Sequence, residues 1–206
     1  NNPDMTYVKR KELTAGLRGS MWDKLISFDV NFFTSKMDGG LVRTNSLYPN
    51  YFTQTGYPSS SIIPYVNFNV DQRTGFDFSV YTNKKVGEVE LTLGVSGMYY
   101  KSTAKKRDEN VEFDYLSAEG RALNGYWGLQ SEGFFQNQSE IDAAPDQTFG
   151  DVKPGDIRYK DQNNDNKIDD NDRVFLGRWD SPFMSGVNLT AKWRNFTLYE
   201  MGNLYM

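Results

Sequence analysis

The sequence contains no cysteine and no histidine. The absence of cysteine excludes disulfides and thiol chemistry, and the absence of histidine excludes imidazole bases and the usual zinc ligand sets. Any metal bound by these residues must therefore be held through oxygen. The sequence also lacks an uninterrupted apolar run of eighteen residues, which excludes a membrane-spanning helix within these 206 residues.

Positive charge is not in excess either. The 23 basic residues are outnumbered by 27 acidic ones, for a formal net charge of -4, so no nucleic-acid partner is expected. The start lacks the basic and apolar regions of a signal peptide, and the end falls within a strand-like pattern. We therefore expect an internal fragment, cut at both ends.

Aromatic residues are abundant, at 15% of the chain, and occur with 18 glycines. This composition favours strands and turns, and it predicts an all-β fold. Alternation of apolar and polar residues predicts three antiparallel hairpins, at about 11–36, 73–101 and 182–206. Their turns are predicted at 22–24, 83–87 and near 194–195.

Two long connections, about 37–72 and 102–181, separate the predicted hairpins. Short turns at one end and long loops at the other are typical of outer-membrane β-barrels. Six strands are too few to close a large barrel, so residues 1–206 are interpreted as one part of a large transmembrane β-barrel of antiparallel up-and-down strands, with long extracellular loops. Trp22, Phe32 and Trp193 are expected at the membrane interfaces. The same alternation also fits a soluble sheet with one covered face.

Residues 161–172 match the spacing of an EF-hand calcium loop, with an apolar residue, Ile168, at position 8. Asn166 replaces the usual glycine at position 6, and aspartate replaces glutamate at position 12. The alternative is a solvated acidic turn. The predicted calcium ligands are the side-chain oxygens of Asp161, Asn163, Asp165, Asp169 and Asp172 and the backbone carbonyl of Lys167.

Three stretches together resemble the late barrel region of the SusC/RagA family. They are Tyr126-Trp127-Gly128-Leu129-Gln130-Ser131-Glu132-Gly133-Phe134-Phe135-Gln136, Pro154-Gly155-Asp156-Ile157-Arg158-Tyr159-Lys160-Asp161 and Asp172-Arg173-Val174-Phe175-Leu176-Gly177. The specific part of the resemblance covers 126–198. That family usually has glycine where this chain has Asn166.

The resemblance implies a TonB-linked transporter of the bacterial outer membrane. Members pair with a SusD-like surface lipoprotein lid and import oligosaccharides or peptides, and TonB acts through a plug domain that is not in this chain. On this interpretation the protein is not an enzyme and contacts lipid. A polar channel would be lined by Glu12, Arg18, Asp29, Asp77, Glu88 and Glu90. No residue is assigned to substrate binding.

Two other functions fit parts of the sequence. A soluble calcium-stabilised β module could bind glycans at the cell surface, with Tyr126, Trp127 and Tyr159 as stacking platforms. A glycosidase would use a carboxylate pair such as Glu132 and Glu140, but such pairs arise by chance in acidic chains.

Overall fold

The computed structural model describes residues 2–44 and 63–206. Besides its strands, this described part has one short helix, α1 (Gln138–Asp142), and 3-10 turns at Asp114–Leu116 and Asp170–Asp172. The strands are β1 (Lys9–Met21), β2 (Ile26–Arg43), β3 (Tyr65–Val86), β4 (Val89–Lys106), β5 (Gly125–Leu129), β6 (Ser131–Phe134), β7 (Asp146–Gln147), β8 (Ile157–Tyr159), β9 (Lys167–Ile168), β10 (Arg173–Arg178), β11 (Phe183–Trp193) and β12 (Phe196–Tyr205).

Six long strands form one sheet in the order β1-β2-β3-β4-β11-β12. Every neighbouring pair is antiparallel, and each strand pairs with the next long strand along the chain. The prediction of an all-β fold with antiparallel up-and-down strands is therefore confirmed. The short strands β5 to β10 lie in the insert, defined as residues 107–182 between β4 and β11.

All three tight turns of the large sheet lie at one end, and both long connections lie at the other. This follows from strict antiparallel order, because successive connections alternate between the two ends. The turn between β3 and β4 contains only Gly87 and Glu88, with Gly87 at φ 62°. The sequence predicted a longer turn, 83–87, but Lys84 and Lys85 continue the ladder opposite Leu91 and Glu90.

The strands also extend further at the long-loop end than the predicted hairpins do. β2 continues to Arg43, β3 starts at Tyr65 and β4 ends at Lys106. The added part of β2 is interrupted by register shifts between Asp38 and Leu41. The added part of β3 alternates, with Val66, Phe68 and Val70 against asparagines, and it pairs with β2, as at Asp38 and Val70. Part of the predicted loop 37–72, residues 45–62, lies outside the described residues.

The pairing register brings most of the apolar side chains of the six strands onto one side of the sheet, here called the outward face, where Glu200 opposite Leu189 is a charged exception; the opposite side is the inner face. Phe32 pairs with Phe76, Phe76 with Tyr99, and Tyr99 with Phe183. The outward face comprises Leu13, Ala15, Leu17 and Met21 of β1, Ile26, Phe28, Val30 and Phe32 of β2, Phe76, Phe78 and Val80 of β3, Leu91, Leu93, Val95 and Tyr99 of β4, Phe183, Val187, Leu189, Ala191 and Trp193 of β11, and Phe196, Leu198 and Leu204 of β12.

No second layer covers the outward face within the described parts of the chain. Leu13 remains 69% exposed and Val187 47% exposed, and Phe28 is only partly buried. The buried apolar residues instead lie at the long-loop end and in the insert; they are Ile63, Val70, Ala104, Phe135 and Ile168. Among the described residues, no helix has the length and apolar character needed to cross a membrane.

Glycines on one strand make room for aromatic rings on the next. A Cβ at Gly75 would lie 2.7 Å from the Phe33 ring, and one at Gly97 would lie 2.6 Å from the Phe78 ring. Such pairs are a recognised means of fixing register, because the ring covers the strand position that lacks a side chain. At Gly75 the Cβ would also clash with the Tyr99 carbonyl oxygen, which belongs to the backbone.

We predict that Gly75→Ala destabilises the sheet by about 1–3 kcal/mol, the usual range for overpacking. The cause is the clash with the Tyr99 carbonyl, which side-chain rotation cannot relieve. The measurement is the free energy of unfolding of the full-length protein in urea. Gly202→Ala is the matched control, since a Cβ there meets nothing within 4 Å; equal effects of the two changes would contradict the prediction.

Candidate functional site

The predicted calcium loop lies in the insert, between β8 and β10. Within it, β9 pairs in parallel with β7, so that Lys167 lies opposite Asp146 and Ile168 opposite Gln147. Ile168 is fully buried. The apolar position of the motif therefore anchors the loop to the rest of the insert.

The first half of this loop coils around Asp161. Its Oδ1 accepts a hydrogen bond from the Asn164 N–H at 2.6 Å, and its Oδ2 accepts one from the Asn166 N–H at 2.9 Å. Both asparagines are left-handed, with φ of 61° and 63°, a conformation that asparagine adopts more readily than most residues. Asn166 thus takes the backbone shape that glycine usually provides at position 6.

The second half of the loop is closed by Asp172, whose side chain is fully buried. Its Oδ1 accepts a hydrogen bond from the Gln162 N–H at 2.7 Å and its Oδ2 one from the Asp169 N–H at 2.9 Å. Asp172 therefore joins the two ends of the loop through the backbone.

The six predicted calcium ligands are only partly brought together. Asn163 donates from Nδ2 to Asp165 Oδ2 at 3.0 Å, whereas Asp172 points into the insert. Across residues 2–44 and 63–206, no three or more acidic side chains are grouped so as to hold a metal ion. The loop has the coil of a calcium site with its carboxylates turned to backbone N–H groups, and calcium binding stays a prediction.

Negative charge is nevertheless concentrated at this loop. The Tyr115 hydroxyl donates to the Asn171 carbonyl oxygen at 2.7 Å. Burial raises the pKa of this phenol, and the nearby carboxylates of Asp172, Asp161 and Asp165 raise it further. Three carboxylates of the loop therefore act on the Tyr115 hydroxyl.

The inner face of the large sheet carries a network of charged and amide side chains. Arg18 donates from Nε to Asp29 Oδ2 at 2.6 Å, and Asn31 donates from Nδ2 to both Asp29 Oδ1 and Asp77 Oδ1, at 2.8 and 2.9 Å. Glu12, opposite Ser35, lies on the same face, and Glu90 faces Lys85 and Lys192.

Glu88, one of the six residues predicted to line a polar channel, does not lie on the inner face. Glu88 sits in the turn after β3 and accepts a hydrogen bond from the Trp193 indole N–H at 3.1 Å. Its position in a two-residue turn explains the difference, because alternation assigns faces only within paired strands.

The proposed glycosidase pair is engaged in local structure. Glu132 lies 3.6 Å from Arg158, and Glu140 accepts the Gln136 N–H at 3.0 Å near the start of α1. Both carboxylates therefore have structural partners.

A cluster at the neck of the insert attaches it to β4. Asp180 accepts hydrogen bonds from Arg178 at 2.7 Å to each carboxylate oxygen, from the Tyr100 hydroxyl at 2.5 Å and from Asn124 at 3.3 Å. The bidentate Arg178 contact holds the pKa of the Asp180 carboxyl well below its usual range, and the bonds from Tyr100 and Asn124 act in the same direction. We call these four residues the neck cluster.

The neck cluster was not predicted from the sequence. Arg178 and Asp180 are two residues apart, a spacing that is common by chance, and Tyr100 is separated from Asp180 by 80 positions. A tyrosine on the polar side of β4 was the only sequence signal, and it is weak.

The stretches that carry the family resemblance build the insert. β5 pairs with β10, and β6 pairs with β8. Phe175 packs edge-on against Trp127, with ring centroids 5.7 Å apart. The aromatic platforms suggested for glycan stacking are therefore partly engaged within the insert.

Two solved structures of transporters contain a chain with a similar fold. This chain resembles a chain in the structure of the RagAB peptide transporter, with a TM-score of 0.66 and 15% identity, and one in the RagAB peptide importer in the 'closed-closed' state, with a TM-score of 0.65 and 15% identity. Each alignment covers 98% of this chain and 21% of the other, so this chain spans about a fifth of the length of the chains it matches. No protein-family model and no curated protein matches.

At this level of identity the likeness shows the fold. Residues 2–44 and 63–206 share the fold of one part of a transporter chain. The structural neighbours are transporters and not enzymes, in agreement with the prediction that this protein is not an enzyme.

We predict that Asp180→Asn loosens the attachment of the insert by about 1.5–3 kcal/mol, the value of hydrogen bonds to a charged group. Because the pKa of Asp180 is depressed in the folded state, its stabilisation is complete above the unfolded pKa of about 4 and is lost as the pH falls towards the folded pKa. Hydrogen exchange at the Tyr100 N–H, which donates to the Pro182 carbonyl, measures the attachment between about pH 3 and pH 7.

Asp170→Asn is the control for this experiment, because that side chain is 95% exposed and contacts only Arg173. In the parent, protection should decline on acidification, and in Asp180→Asn this decline should be much smaller. Asp170→Asn should show the same decline as the parent. An equal decline in the parent and in Asp180→Asn would show that Asp180 does not control the attachment.

Proposed function

We propose that this chain is part of the β-barrel of an active importer in the bacterial outer membrane. In this proposal the outward face contacts lipid and the inner face lines the passage. The imported substrate is a peptide or an oligosaccharide, a SusD-like surface lipoprotein covers the long-loop end, and TonB supplies energy through a plug domain elsewhere in the protein.

The observation that carries this proposal is the uncovered apolar face. An apolar area spread over six strands is far larger than a water-soluble monomer normally exposes. On β11 it runs from Phe183 to Trp193, which at about 3.3 Å per residue and a tilt of roughly 40° corresponds to a band about 25 Å high. That is the height of the apolar band of outer-membrane barrels.

Both borders of this band carry aromatic side chains. At the long-loop end, Phe32, Phe76 and Tyr99 form a row on adjacent strands, with centroid separations of 6.1 and 5.9 Å. At the turn end, Trp193 stacks on Phe196 at 6.2 Å. Beyond the first row the same face becomes polar, with Thr34 and Thr74 in hydrogen-bond contact at 3.1 Å. Aromatic girdles at both membrane interfaces are typical of such barrels.

The soluble alternative requires a covering layer over the outward face. The described residues supply none, because the insert is joined to β4 through inner-face residues such as Tyr100. Closure of a barrel likewise requires further strands beside β1 and β12, which form the two edges of the described sheet. Membrane burial accounts for the outward face without any second layer.

Cysteine labelling at two neighbouring positions tests the membrane assignment. Val95 faces outward and Ser96 inward on the same strand, and this sequence contains no other cysteine. In intact outer membranes, Ser96→Cys should react with a water-soluble maleimide and Val95→Cys should not. Rapid labelling of Val95→Cys by this reagent would contradict a lipid-facing surface, and labelling of both after denaturation is the control.

We further propose that the loop 161–172 binds calcium and stiffens the insert, with Asp161, Asn163, Asp165, Asp169 and Asp172 and the Lys167 carbonyl as the ligands. The coil around Asp161 and the concentrated negative charge support this. Binding requires the carboxylates to exchange some backbone N–H contacts for the ion, so a modest affinity is expected.

Hydrogen exchange with and without calcium tests this second proposal. Added calcium should slow amide exchange across 161–172, a chelator should reverse the effect, and Asp161→Asn should weaken it at least about tenfold in calcium concentration. Asp170→Asn, outside the ligand set, should behave as the parent. Exchange that does not respond to millimolar calcium would identify the loop as a solvated turn.

A further inference from the structure

Three apolar side chains interrupt the polar inner face near the long-loop end. They are Phe33, Met98 and Met184, and Met98 lies directly opposite Met184. Together with Arg10, Glu12, Ser35, Arg73 and Tyr100 they line a cavity of about 470 Å³. This inner-face cavity is within the range of sizes that hold small ligands.

Most charges around the inner-face cavity are compensated. Arg10 lies 2.6 Å from Glu12 and donates from Nε to Ser35 Oγ at 3.0 Å, and the Tyr100 hydroxyl is held by Asp180. Arg73 is the exception, since it forms no hydrogen bond or ion pair with any residue in 2–44 or 63–206. One uncompensated guanidinium therefore stands beside an apolar wall.

The wall itself is held in place by the sheet. Phe33 pairs with Gly75, and its ring occupies the space that a Cβ at Gly75 would take. A glycine at this position lets the aromatic ring lie across the neighbouring strand. Arg73 comes two residues before Gly75 on the same face, so ring and guanidinium are adjacent along β3.

We propose that the inner-face cavity binds a carboxylate that is next to an apolar side chain, as at the C-terminal residue of a peptide. Arg73 pairs with the carboxylate, for which the guanidinium fork is well matched. Phe33 and the two thioethers, which adapt to differently shaped apolar groups, contact the side chain. This rests on the proposed function, in which the inner face lines the passage.

The chemistry of the inner-face cavity favours peptides over neutral oligosaccharides. A neutral sugar would cover the guanidinium without supplying a counter-charge, and it would leave the thioethers beside hydroxyl groups. The C-terminal residue of a peptide supplies both a carboxylate for the guanidinium and an apolar side chain for the thioethers. At about 470 Å³ the space takes one or two residues, so it would recognise a chain end rather than a long segment.

Matched peptides test this proposal in the purified full-length protein. One peptide ends in leucine with a free carboxylate and the other is identical but ends in an amide, and affinity is measured by calorimetry. The free acid should bind about ten- to a hundredfold more tightly, the factor expected for a hydrogen-bonded ion pair. Arg73→Gln should abolish this difference while leaving the affinity for the amide peptide unchanged, which also shows that the protein remains folded.

Arg18→Gln is the matched control, because it removes the same charge from the same face outside the cavity, where Arg18 pairs with Asp29. It should retain the preference for the free acid. Equal binding of the acid and amide peptides by the parent would overturn the proposal. It would also be overturned if Arg18→Gln and Arg73→Gln lost the preference for the free acid equally, because this would indicate a general effect of luminal charge. A failure of the membrane assignment is seen separately, in the labelling at Val95.

Discussion

The continuous backbone hydrogen-bond ladder across six antiparallel strands is the constraint from which the other features follow. Once the register is set, side chains alternate strictly between the two faces, and a slip of one residue would exchange the faces of a whole strand. The glycine and aromatic pairs, such as Gly75 with Phe33 and Gly97 with Phe78, oppose such a slip because each ring fits only beside its own glycine. The packing of these rings on glycines therefore favours the same register that places the side chains on the two faces.

Much of the sheet could be predicted from sequence, because apolar and polar residues alternate with a period of two wherever the two faces of a strand meet different environments. This alternation located β1, β2, β3, β4, β11 and β12, and it assigned Phe28 and Asp29 to opposite faces. The extensions at the long-loop end were not recognised, although backbone pairing continues as far as Arg43 and Tyr65. In β2 the alternation is broken by register shifts between Asp38 and Leu41, and in β3 the alternation of Val66, Phe68 and Val70 with asparagines was overlooked.

The insert was harder to interpret for a related reason. Its strands are two to six residues long, too short for a periodic signal, and they are organised by individual contacts between distant positions. The spacing of 161–172 located this loop, in which Asn166 is left-handed and its N–H bonds to Asp161, while calcium binding stays a prediction. Spacing alone did not reveal that Asp172 would point inward to backbone N–H groups, because that depends on where the loop ends meet the rest of the insert.

The neck cluster separates the large sheet from the insert, and these two regions differ in how far their sequences can vary. Tyr100, Asn124, Arg178 and Asp180 hold the two ends of the segment 125–177 together beside β4. Segments that diverge in length or composition can thus be exchanged at this position without disturbing strand pairing below. The same arrangement offers protein engineers a graft site, where a foreign domain with closely spaced termini could be displayed above an unchanged sheet.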